Sequence, residues 1–196
     1  MSAPKPMEIT RAVERAWKIP GQYRRGEAAF LYELARRKGQ IVEIGCYMGR
    51  STAILLQAAA VWGAEVTTID PFVKLPNDVP EASPQIWRRN LKQQGLTPGT
   101  LIVERSHQAV LEWKGEIALL FIDGDHGYEG VRADLEDWTR HVQVGGVVAL
   151  HDMWFPSITG VAQAVTDWWI RERSGGVARW TCVGMRDLTI AFRRDR

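Results

Sequence analysis

The twelve residues Gln40–Ser51, QIVEIGCYMGRS, limit the possible folds more than any other stretch of the chain. Ile41, Val42 and Ile44 form a short run of β-branched residues, which reads as a strand buried on both faces. Gly45 and Gly49 follow, then Arg50, Ser51 and Thr52, and then the apolar helical stretch Ala53–Val61. A strand, a glycine turn and a helix N-terminus in that order bring backbone close to a ligand, because glycine has no Cβ and accepts positive φ. The amide N–H groups at the helix start favour a carboxylate or another anion. Glu43 lies inside the strand, where a carboxylate costs several kcal/mol unless something binds it. A plain strand–turn–helix leaves that carboxylate unexplained.

Three ligand classes use such a turn. The dinucleotide fingerprint G-x-G-x-x-G would need glycines where Tyr47 and Arg50 stand. The phosphate loop G-x-x-x-x-G-K-[ST] would need one more residue between the glycines, and Lys in place of Arg50. The third pattern, E-x-G-x-x-x-G over Glu43–Gly49, resembles the first motif of the class I S-adenosylmethionine (SAM) methyltransferases.

The rest of the chain alternates between helical and strand patterns. Glu8–Lys18 and Glu27–Lys38 read as helices, the second with Phe30, Leu31, Leu34 and Ala35 on one stripe and Gly39 as its stop. Glu65–Asp70, Thr100–Val103, Ile117–Ile122 and Val147–Leu150 read as strands two to five, the last entered through a Gly145–Gly146 turn. Helices fall at Gln85–Gln94, around Val131, Leu135 and Trp138, and at Ile158–Arg171. Asp134, Glu136 and Asp137 read as the solvated face of the second of these. Trp168 and Trp169 read as core or interface residues, and a homodimer is one use for them. Pro71–Pro84 is a long proline-rich loop, and Trp180–Gly184 with Leu188–Arg193 forms a hairpin. The expected fold is α/β: a Rossmann-like, doubly wound, mostly parallel sheet with a C-terminal antiparallel hairpin. No linker or repeat divides it, so residues 1–196 are expected to form a single domain, with 1–39 an N-terminal helical segment and 40–196 the core.

Composition excludes several partners. The chain carries 25 Lys and Arg against 23 Asp and Glu, without the clustered positive charge of a nucleic-acid binder. No apolar run approaches the roughly 18 residues of a membrane span, and the N-terminus lacks a secretory apolar region. Cys46 and Cys182 have no metal spacing, and Cys46 reads as a small packing residue. A reduced, cytoplasmic protein is expected.

In open parallel sheets, ligands bind beyond the carboxyl ends of the strands. Here those ends carry Glu43 and the glycine turn, Asp70, Ser106 and His107, Asp123 with Asp125 and His126, and His151 with Asp152. The strand interiors are apolar, so this convergence reads as a site. Asp70 follows Gly49 by 21 residues, well placed for ribose hydroxyls, although Asp-Pro also opens turns. Ser106 serves equally well as a helix cap. Asp123 and Asp152 on neighbouring strand ends repel unless a proton or cation lies between them; backbone N–H groups could also occupy them. Carboxylates with an imidazole suit Mg²⁺, Mn²⁺ or another divalent ion. His126 has the ordinary pKa of a base for a hydroxyl, and a surface turn is its other use.

VEIGCYMGRST, FIDGDHGYEGVRADLEDW and GGVVALHDM together resemble the class I SAM methyltransferases grouped with macrolide- and sugar-modifying O-methyltransferases and the cephalosporin-pathway methylation protein. The likeness runs from about Gly21 to Phe155. It implies O-methylation of a small-molecule hydroxyl; the alternative is a SAM- or nucleotide-binding protein without catalysis. It implies that Glu43, Gly45, Tyr47, Gly49 and Ser51 hold the methionine part of SAM, Asp70 its ribose, and Ser106 and His107 its adenine, with Asp123 also bordering the cofactor. It implies His126, with neighbouring Asp125, as the catalytic pair, and Asp123, His151 and Asp152 as metal ligands. Metal-using relatives carry Glu or Asp where this chain has His151. Pro71–Pro84 and Trp154–Ile158 are expected to line the acceptor pocket.

Overall fold

The computed structural model describes residues 6–73, 81–174 and 180–196. Helices α1 (Pro6–Ala16) and α2 (Arg25–Leu34) precede β1 (Gly39–Ile44), α3 (Arg50–Trp62) and β2 (Ala64–Ile69). Then come α4 (Pro84–Gln93), β3 (Thr100–Ile102), α5 (Ser106–Glu112) and β4 (Ile117–Ile122). The chain ends with α6 (Tyr128–Trp138), a 3₁₀ turn at Thr139–His141, β5 (Val142–Leu150), α7 (Thr159–Ser174), β6 (Trp180–Arg186) and β7 (Thr189–Arg194).

The strands form one sheet in the order β3-β2-β1-β4-β5-β7-β6. The first five run parallel, and β7 lies antiparallel to both β5 and β6. This mostly parallel sheet closed by an antiparallel hairpin is what the strand–helix alternation predicts. Alternate residues of each central strand feed two separate cores. Ile41, Leu119 and Phe121 pack under α1–α4, while Val42, Ile44, Leu120 and Ile122 pack under α5–α7. All six residues of β4 are buried, as an unbroken apolar run requires.

Two expectations are corrected. Gly145–Gly146 is not a turn leading into strand five, because β5 already begins at Val142. Its pairing to β4 jumps from Ile117↔Val142 to Leu119↔Val147, so the glycines lie in a bulge, with Gly145 at φ 79°. Asp134 is not on a solvated face; it is 5% exposed. Trp168 is core, 2% exposed and packed edge-on to Phe192, one of the two uses the sequence offers for it. Of the proline-rich loop, residues 74–80 lie outside the described residues.

Candidate active site

Lateral backbone bonds tie the strand ends into one rim. Asp70 N–H donates to Ile102 O, Gly45 N–H to Ile69 O, Asp123 N–H to Ile44 O and His151 N–H to Ile122 O. Glu43, Asp70, Asp123, His151 and Asp152 therefore stand on a single edge of the sheet.

The glycine turn is held from both sides. Gly45 (φ 82°), Tyr47 (φ 48°) and Gly49 (φ 97°) all take left-handed backbone, and Gly49 caps α3. Asp70 Oδ2 accepts from Cys46 N–H at 2.8 Å and Tyr47 N–H at 3.1 Å, and Oδ1 accepts from Phe72 N–H at 2.7 Å. Two bonds fill the lone pairs of Oδ2, while Oδ1, with one, retains an acceptor site for a ribose hydroxyl. Arg50 points away from the rim: Nε donates to Ile19 O at 2.8 Å, and its guanidinium lies 4.4 Å from the Trp17 ring. That placement removes the side chain a phosphate-loop reading would need.

Glu43 is fully buried. Its Oε2 accepts from Thr52 Oγ1 at 2.6 Å and Thr68 Oγ1 at 3.0 Å, while Oε1 has no hydrogen-bond partner among the described residues. Burial pushes its pKa up to about 7, against hydrogen bonds from Ser51, Thr52 and Thr68 that lower it. The folded chain therefore holds this proton above the pH at which the unfolded chain, near 4.5, releases it. Glu43's contribution to stability therefore falls as pH rises from about 4.5 to about 7. Glu43→Gln keeps an acceptor for the threonines and removes that dependence. It is expected to melt above wild type at pH 8, by roughly 3 kcal/mol, and to match it near pH 4.5. Parallel pH–Tm curves for the two proteins would contradict this.

At the far side of the rim lies a cluster of acids and imidazoles. Ligand atoms of Asp123, His126 and Asp152 lie within 4.8 Å of one another, close enough to share a metal ion. His126 Nε2 approaches Asp152 Oδ2 at 3.0 Å and Asp123 Oδ1 at 3.9 Å, yet it makes no well-directed hydrogen bond. Two neighbouring carboxylates with imidazole beside them make an oxygen–nitrogen donor set that fits a divalent ion. Contacts with Asp123 and Asp152 push His126 up to about 9. Asp152 sits at φ 57°, a left-handed conformation uncommon outside glycine, and is 8% exposed.

His151 differs from His126 in being held at both ends. Nδ1 lies 3.1 Å from Asp123 Oδ1 and 3.4 Å from Asp152 Oδ2, and Nε2 lies 3.2 Å from Glu27 Oε2. The ring packs 4.6 Å from that of Tyr23. Burial would lower its pKa; Asp123, Asp152 and Glu27 overcome this and push it up to about 12.

Two residues at the site escape the sequence pattern. Glu27, at 0% exposure, accepts from Arg24 N–H and Leu188 N–H as well as facing His151. It lies four and seven residues before Leu31 and Leu34, on the apolar stripe of α2, and a carboxylate on that stripe is the signal that marks it. Asp134 occupies the stripe of α6 beside Leu135 and accepts from Ser106 Oγ. Burial raises its pKa to about 6. Ser106 is the first residue of α5 rather than its cap, and His107 is exposed. Asp125 is exposed, and its Oδ1 closes a turn onto Gly127 N–H at 2.8 Å.

Known proteins share this fold. Residues 42–153 match a family model described as a methyltransferase domain. The SAH-bound methyltransferase PaMTH1 of Podospora anserina superposes with a TM-score of 0.66 at 18% identity, covering 100% of this chain and 91% of its own. The O-methyltransferase TomG of Streptomyces achromogenes, involved in tomaymycin synthesis and solved with SAM, gives 0.67 at 14% identity over 100% and 93%. CalS11, a TDP-rhamnose 3′-O-methyltransferase of calicheamicin biosynthesis, gives 0.64 at 18% over 98% and 96%. The family match spans more than half the chain and contains the glycine turn, Asp70 and the whole acid–imidazole cluster, so the chain belongs to the methyltransferase-domain family.

Proposed function

We propose that this chain, acting as one domain over residues 1–196, transfers a methyl group from SAM to a hydroxyl of a small-molecule acceptor, assisted by a divalent cation. The observation that carries this reading is the single rim on which a glycine turn braced by Asp70 stands beside the Asp123–His126–Asp152 cluster. When bound, SAM supplies an electrophilic methyl on a sulfonium, and a dication supplies Lewis acidity toward the acceptor oxygen.

The chain's own residues do the rest. The turn at Gly45, Tyr47, Gly49 and Ser51, with Glu43 beneath it, seats the methionine end. Asp70 takes the ribose hydroxyls, and Ser106 and His107 border adenine. Asp134, accepting the Ser106 hydroxyl proton, leaves Ser106 Oγ free to act as an acceptor. Holding donor and acceptor in line supplies much of the rate. His126, its side chain 40% exposed, is the cluster imidazole that solvent and an incoming hydroxyl can reach. With a cation occupying Asp123 and Asp152, those carboxylates would no longer hold its proton, and neutral His126 would receive the hydroxyl proton, with Asp125 shaping the turn beside it.

Among the described residues, no helix is long and apolar enough to cross a membrane. Calorimetric titration with S-adenosylhomocysteine, in Mg²⁺ and in chelator, tests the cofactor assignment. His126→Ala is expected to bind S-adenosylhomocysteine as wild type does, and to lower turnover by about 10²–10⁴-fold on any acceptor found by screening. Unchanged turnover would remove His126 from the mechanism.

A further inference from the structure

The two imidazoles at the cluster are not equivalent, and the difference lies behind them. His126 has one ring nitrogen near the carboxylates and 40% of its side chain exposed. His151 is 5% exposed and is gripped at both ring nitrogens: Nε2 by Glu27 Oε2 at 3.2 Å, Nδ1 by Asp123 Oδ1 at 3.1 Å and Asp152 Oδ2 at 3.4 Å. Glu27 is itself fixed. Its oxygens accept from Arg24 N–H and Leu188 N–H at 2.7 Å each. Leu188 O in turn accepts from Met153 N–H at 3.0 Å, which closes the loop back onto the residue after Asp152.

We infer that His151, anchored from behind by Glu27, is the imidazole ligand of the cation site, and that this donor set selects a transition-metal dication such as Mn²⁺ or Co²⁺ over Mg²⁺. This rests on the cation invoked in the proposed function. Three geometric and chemical points support it. Histidines that bind metals almost always donate the remote ring N–H to a carboxylate, and Glu27 is placed to accept it, while among the described residues His126 has no such partner behind it. Neighbouring ligands around an ion with bonds of about 2.1 Å stand roughly 3 Å apart, and Nδ1 meets the two aspartate oxygens near that spacing. Imidazole nitrogen favours the later first-row metals, whereas Mg²⁺ takes oxygen. Glu27 is then a positioning residue. It acts through His151, and His126 keeps its nitrogen for the acceptor's proton.

The test uses the full chain stripped of metal with chelator. MnCl₂, CoCl₂ and MgCl₂ are titrated in turn by calorimetry, and S-adenosylhomocysteine is titrated separately into each variant. Wild type is expected to bind one Co²⁺ or Mn²⁺ at least about 10-fold more tightly than Mg²⁺. Glu27→Gln and His151→Asn should each weaken Co²⁺ by about 10- to 100-fold. The double variant should be no weaker than His151→Asn, because Glu27 works only through that ring. His126→Ala should change Co²⁺ affinity less than about 3-fold. The Co²⁺ visible absorption bands should shift in His151→Asn and stay in place in His126→Ala. Mg²⁺ bound as tightly as Co²⁺, Co²⁺ binding lost in His126→Ala but kept in His151→Asn, or no dication bound at all would overturn the inference. Should Glu27→Gln fail to fold, His151→Asn and His126→Ala decide it alone. Wild type failing to bind S-adenosylhomocysteine would instead refute the methyltransferase reading, a separate outcome.

Discussion

Gly45→Ala loses S-adenosylhomocysteine binding and a large share of its stability margin, whereas Gly63→Ala changes both far less. Both glycines have positive φ, 82° and 71°. A Cβ on Gly63 meets nothing within 4 Å, so that variant suffers only the conformational penalty, about 1 kcal/mol. A Cβ on Gly45 would stand 2.2 Å from Asp123 O and 2.7 Å from Gly124 Cα. Those are backbone atoms and no rotamer relieves them, so β1 and β4 must separate at the rim where the glycine turn meets the cluster. Strain and overpacking together amount to about 3–5 kcal/mol, against a typical total of 5–15. The expected drop in Tm is roughly 10 °C, read by calorimetry alongside ligand titration. Equal Tm values for the two variants would show that the turn does not pack on the fourth strand as described.

The second large effect falls on Asp70. Its carboxylate accepts from Cys46, Tyr47 and Phe72 N–H, so Asp70→Ala removes the acceptor for three amides and frees the turn from the second strand. Bonds to a charged group contribute about 1.5–3 kcal/mol each, partly recovered by water at this half-buried position. Stability should fall by about 2–4 kcal/mol. S-adenosylhomocysteine affinity should fall at least about 100-fold, because both the shape of the turn and the ribose acceptor are lost. Asp70→Asn retains one accepting oxygen and should lie between. An Asp70→Ala variant that binds the ligand within about 3-fold of wild type would show that the carboxylate only braces the turn.

Much of this was legible before any coordinates, for physical reasons that differ by residue. Glu43 announces itself because a carboxylate within an apolar β-branched run has to be satisfied, and two threonine hydroxyls satisfy one of its oxygens. The strand ends were legible because parallel strands place their carboxyl termini on one edge. Gly145–Gly146 misleads because a turn and a bulge demand the same left-handed backbone; only the register against β4 separates them. Asp70's bonds to the glycine turn could not be foreseen from spacing that suits a ribose equally well. Glu27 is the instructive omission. Its partner His151 lies 124 positions away in sequence, and no local pattern carries that distance. What local pattern does show is a charged residue in line with Leu31 and Leu34, and Asp134 beside Leu135 carries the same signal.

The placement of β7 has a consequence for biosynthesis. It is the last strand in chain order, yet it fills the gap between β5 and β6. Until Thr189–Arg194 clears the ribosome, a nascent chain presents Val147–Leu150 as a naked apolar border, with open hydrogen-bonding groups ready to recruit a stranger. Folding here cannot finish vectorially; the sheet is sealed only after nearly every other element has been made.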